Sequence, residues 1–106
     1  MEQHDYVRSI LEAYRATPGT CGAIRRPDRL FATQLHQRGV PLEAVENALV
    51  LAAARRMIRP NGAAPLGTIR SLAYFASVIE EVLQLKVGQK YFQYLRHKLQ
   101  RMASAR

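Results

Sequence analysis

The chain has 106 residues, 48% hydrophobic and 23% charged, with a formal net charge of +8. That length suits one domain, buries roughly 60–70% of the unfolded surface, and carries a globular rather than a disordered composition. The longest apolar run, Ala48 to Ala54, falls far short of the roughly 20 residues of a membrane span, and a lone Cys21 rules out an internal disulfide framework or a cysteine-rich zinc site.

Five helices are expected, and no strand. The first runs from about Asp5 to Ala16, with Asp5 as its N-cap. Val7, Ile10, Leu11 and Tyr14 fall on one face at helical spacing. Thr17-Pro18-Gly19 ends it. The second runs from about Asp28 to Arg38, started by Pro27 and Asp28, with Leu30, Phe31 and Leu35 as its stripe. Gly39 stands where a C-terminal cap takes positive φ.

The third helix opens at Pro41, whose missing N–H costs nothing in a first turn. Leu42, Val45, Leu49 and Ala52 form a stripe that Val50, Leu51, Ala53 and Ala54 widen until little polar face is left. A helix apolar nearly all round is buried nearly all round, so this one belongs at the centre. It ends at Arg59-Pro60-Asn61-Gly62. After the loop "RPNGAAPLGT" (59–68), a fourth helix is expected with Thr68 as N-cap, burying Ile69, Leu72, Phe75, Ile79, Val82 and Leu83. Lys86-Val87-Gly88 marks a break, and the fifth helix runs from about Gln89 to Met102.

Charge is divided unevenly along this plan. Residues 1–53 hold six Arg against six acids, whereas residues 54–106 hold ten Lys or Arg against Glu80 and Glu81 alone. After Glu81 there is no acid. Such asymmetry points to a polyanionic partner, nucleic acid above all. In "KYFQYLRHKLQR" (90–101), Tyr91, Leu95, Leu99 and Met102, with Phe92 beside them, would dock on the core. Lys90, Tyr94, His97 and Arg101 fall on another side by steps of four, three and four, with Lys98 flanking and Lys86 just before. Cations neutralise phosphates, and a tyrosine between them can stack on an exposed base. The plainer reading is a solvated outer face. Arg55, Arg56, Arg59 and Arg70 would form a second basic patch if the loop folds back, although cations at a helix C-terminus also suit the helix dipole.

Other motifs carry less. "FATQLHQRGVPLEAVENAL" (31–49) has the outline of a helix-turn-helix, but its outward positions would be Glu43, Glu46 and Asn47, and carboxylates suit a phosphate-lined groove poorly. "TPGTCG" (17–22) follows no strand and precedes no Gly-Lys-Ser/Thr, so it is no nucleotide loop, although Arg25, Arg26 and Arg29 beside it are potential phosphate contacts. His4, His36 and His97 show no metal-ligand spacing. Glu80 and Glu81 diverge on a helix, and Cys21 has no evident base. No catalytic residue, metal or cofactor is expected, and the chain reads as a non-enzyme.

"RGVPLEAVENALVLAAAR" followed, after a loop, by "IRSLAYFASVIEEVL" is similar to the helical domain of DnaD-like primosome proteins and related phage and plasmid replication proteins. Gly39, Val45, Ala48, Ala52, Tyr74, Phe75 and Ile79 occupy comparable places, and the resemblance spans residues 38–83. It implies DNA binding and protein assembly during replication, without catalysis, and favours the C-terminal basic segment as the DNA contact.

The expectation is thus an all-α, single compact bundle of about five helices with a central buried helix, one domain over 1–106. Its early acids and lack of a signal-peptide core place it in the cytoplasm, with no membrane partner. It would act as a small basic nucleic-acid-binding accessory protein of a replication system or mobile element, DNA favoured over RNA. Two alternatives remain. One is a helical adaptor for a protein partner or a homo-oligomer, using Leu85, Val87 and Phe92. The other is a subunit of a larger ribonucleoprotein complex.

Overall fold

The computed structural model describes residues 1–60, 62–84 and 89–104. Its elements are α1 (Gln3–Ala16), α2 (Arg26–Gln37), α3 (Leu42–Met57), a short 3₁₀ turn (Leu72–Phe75), α4 (Ala76–Gln84) and α5 (Gln89–Ser104), with no strand among the described residues. The chain is an all-α bundle. α3 lies at its centre, against α1, α4, α5 and the 3₁₀ turn, while α2 leans on α1 and that turn. Eight residues of α3 are buried, from Val45 to Ala54, as an apolar surface on nearly every side demands.

α1 buries Tyr6, Ile10, Leu11 and Tyr14. It begins two residues before the expected cap, because Asp5 sits inside the first turn, where it pairs at 3.4 Å with Arg8. The Tyr6 hydroxyl donates to the Val40 carbonyl at 2.8 Å, tying α1 to the turn before α3. Burial, chiefly, pushes the Tyr14 hydroxyl up to about 12, with the Asp28 charge adding to the shift.

The stripe of α2 is rotated from the expected one. Ala32, Leu35 and Asp28 face inward, while Leu30 is 52% exposed. Gly39 takes φ 76° as the stop requires.

Expectation and structure part most clearly after α3. Ile69 is buried, as expected, but in extended chain rather than in a helix starting at Thr68. Its N–H donates to the Gly19 carbonyl (2.8 Å) and its carbonyl accepts from Cys21 N–H (2.9 Å), so the loop after α1 holds the segment by a parallel bridge. Gly19 permits this approach: its φ is 93°, and a Cβ there would come within 3.3 Å of Arg56 Nε. Helix starts only where the Asp28 carboxylate accepts Leu72 N–H at 2.9 Å. The cap for this helix therefore comes from α2 rather than from Thr68, and a 3₁₀ turn leads into α4. Phe75, Ile79 and Val82 are buried, and Leu83 is exposed.

α5 packs on α3 through Phe92, Leu95 and Leu99, all buried. The contact stripe is centred on these three, so Tyr91, expected on that side, is 47% exposed. Phe92 is core and offers no apolar surface to a partner; Leu85 and Val87, named with it, lie outside the described residues. No helix among the described residues is long and apolar enough to cross a membrane.

Candidate nucleic-acid interface

With Phe92, Leu95 and Leu99 turned inward, the helical period places Tyr94, His97 and Arg101 on the opposite side of α5, and all three are exposed. Tyr94 is 58% exposed, more than any other tyrosine or phenylalanine among the described residues. Arg96 is exposed on one flank, and Lys98 is half-buried on the other. Two further residues of the expected set, Lys86 and the Lys90 side chain, lie outside the described residues.

No acid occurs in α5 or beyond it. The two acids of the C-terminal half are already engaged. Glu80 accepts from Arg38 at 2.7 Å, and Glu81 accepts from both terminal nitrogens of Arg55 at 2.7 and 2.5 Å. These hydrogen bonds hold both carboxyls below the usual carboxylate range and raise both guanidinium groups. Among the described residues, Arg96, His97, Lys98 and Arg101 form no ion pair. Their field is offset by no bonded carboxylate.

The four arginines of the second expected patch divide in two. Arg55 is matched by Glu81. Arg56 donates to the Gly67 carbonyl (2.5 Å) and to the Tyr74 hydroxyl (3.1 Å), and its guanidinium carbon lies 5.6 Å from the Tyr74 ring centre. The loop does fold back, and Arg56 is its clamp. Arg59, half-buried, and Arg70, exposed, form no ion pair among the described residues.

The helix-turn-helix outline does not survive folding. α3 is enclosed by its neighbours, and Asn47, expected to face outward, is buried. The outward positions left in its first two turns are the exposed Glu43 and the half-buried Glu46, and carboxylates suit a phosphate-lined groove poorly.

Two clefts bring together residues that sequence reasoning left apart. One, of about 350 Å³, opens between the end of α1, α3 and α5. Its walls are apolar, with Ala13, Leu49, Val50 and Ala53 among them, and its polar members are Glu46, Arg96, Gln100 and Thr17, whose hydroxyl donates to the Ala13 carbonyl at 2.7 Å. The spacing of Arg96 and Gln100 around Leu99 was the available signal, since residues adjacent to a docking position flank the contact. The other, of about 280 Å³, gathers His4, Arg8, Glu12, Arg15 and Arg29 between α1 and the first turn of α2 with the chain before it. No group of three or more His, Cys, Asp or Glu among the described residues is placed to hold a metal ion.

The chain matches no known protein-family model, no curated protein and no solved structure.

Proposed function

We propose that this protein binds nucleic acid through the outer face of α5, as a small accessory factor of a replication system or mobile element. One observation carries the reading: an acid-free helix presents Tyr94, His97 and Arg101 to solvent, while the nearest acids in sequence are bound by Arg38 and Arg55. Arg101 so placed, with Arg96 and Lys98 flanking, neutralises phosphate and releases counterions, and the open Tyr94 ring on the same side suits stacking on a base. The resemblance of residues 38–83 to DnaD-like domains favours DNA over RNA and a replication setting. Arg59 and Arg70 extend the contact on this reading, and Arg55 and Arg56 support it structurally rather than by touching phosphate.

The test is a titration against single- and double-stranded DNA and RNA at two salt concentrations, comparing the parent with H97E/R101E. The variant loses affinity for every polyanion, and each phosphate contact removed flattens the salt slope by about 0.7 (single strand) to 0.9 (duplex). Equal binding by the variant would exclude α5 as the contact.

A second reading, a protein adaptor, draws on the exposed Ile58, Leu66 and Tyr74 around the returning loop. Light scattering with and without salt separates the two. A dimer that persists in high salt favours the adaptor.

A further inference from the structure

We infer that the cleft between α1, α3 and α5 receives one unstacked nucleobase bearing an exocyclic amino group, so that single-stranded nucleic acid is bound in preference to duplex. The inference rests on the nucleic-acid reading above and adds strandedness and base preference to it.

Three features point to a base rather than to a phosphate or a purely apolar group. The first is the wall. Ala13, Ala16, Pro18 and Val50 present small and aliphatic surfaces against which the face of a planar ring can lie, over a floor closed by the buried Leu49 and Ala53, and at about 350 Å³ the space is in the range of ligand clefts. The second is the polar set. Glu46 and Arg96 border the same cleft without forming an ion pair with each other. Each keeps its hydrogen-bonding capacity for a guest. A carboxylate repels a bare phosphate but accepts from the amino group of a base, as acidic side chains do with cytosine N4. The Gln100 amide both donates and accepts, which suits the remaining edge of such a ring.

The third feature is position. Arg96 and Gln100 lie on the flank of α5 adjoining His97 and Arg101. A strand whose phosphates meet Arg101, with His97 beside it, has a base within reach of the cleft. In a duplex that base is stacked and paired and must be extruded first, whereas in a single strand it is free.

Ala16 lines the cleft, is exposed and ends α1, so Ala16→Trp fills the mouth without entering the core. Anisotropy titrations would use oligodeoxycytidine, oligodeoxythymidine of equal length, and a duplex. The parent binds oligodeoxycytidine most tightly, because thymine lacks the amino group. A16W weakens oligodeoxycytidine binding about tenfold and leaves duplex binding unchanged. E46Q, which preserves shape, narrows the gap between the two oligomers. Unchanged oligodeoxycytidine binding by A16W, with its melting curve intact, overturns the inference, as does a parent that prefers duplex. If H97E/R101E weakens every ligand while A16W and E46Q weaken none, α5 remains the contact surface and the cleft is not a base site. If the parent binds no nucleic acid, both readings fall.

Discussion

The Asp28 carboxylate accepts from Arg25 N–H at 2.9 Å and from Leu72 N–H, 44 positions later, also at 2.9 Å. It is 2% exposed, a rare depth for an acid, and the two backbone donors explain why it can stay there. Half of this role is legible in the sequence, since Asp after Pro27 reads as helix-start chemistry. The other half depends on the chain returning from α3, which local pattern does not encode. Asp28→Ala leaves two N–H groups without their acceptor and removes the cap of the 3₁₀ turn. We expect a loss of about 2–4 kcal/mol in urea unfolding, with Asp28→Asn, which keeps one acceptor oxygen, losing less. An alanine variant as stable as the parent would show that water replaces the carboxylate.

At the scale of the element, α5 shows how burial and exposure divide a single helix. Leu95 is buried against α3 and Tyr94, one residue earlier, faces solvent, so neighbouring positions have opposite expected consequences. Leu95→Ala should lower stability by about 2–4 kcal/mol through lost burial and a residual cavity. Tyr94→Ala should change the unfolding midpoint hardly at all and weaken single-strand binding about tenfold. Comparable destabilisation by the two would mean that α5 docks in another rotation. Periodicity foresaw this division well, erring only at Tyr91, because a stripe read from sequence fixes a face to within about one residue. It erred more for α4, where Thr68 had every mark of a cap. Helix starts where an acceptor meets the unpaired N–H groups, and that acceptor was supplied by α2.

Across the whole molecule, charge is arranged in two ways. On one side, Arg38–Glu80 and Arg55–Glu81 tie α4 to the C-terminal cap of α2 and to the last turn of α3. Further out, the cations of α5 stand without carboxylates. The two ion pairs are about half-exposed, so water screens them and their contribution is small. Its sign is nevertheless defined. Glu80 and Glu81 have folded values below the usual 4.5, so the stabilisation is present above that value and disappears as pH falls through the folded values. E80Q/E81Q should therefore melt lower than the parent at neutral pH, and the two curves should converge as the solution is acidified below about 4.5. A gap that stays constant into acid would mean that the pairs contribute nothing.

The all-α class, the centrality of α3 and the cationic, acid-free last helix were all present in the order of residues. Helical period, helix stops and net charge are local or additive properties that need no knowledge of which segments meet. The cap on the 3₁₀ turn, the bridge between Thr20 and Ile69, the pairing of Arg55 with Glu81, the clamp made by Arg56 and the cleft holding Glu46 and Arg96 were settled only by folding. Each joins residues far apart along the chain, and such partners are chosen by how helix faces pack and by which buried polar groups must find one another.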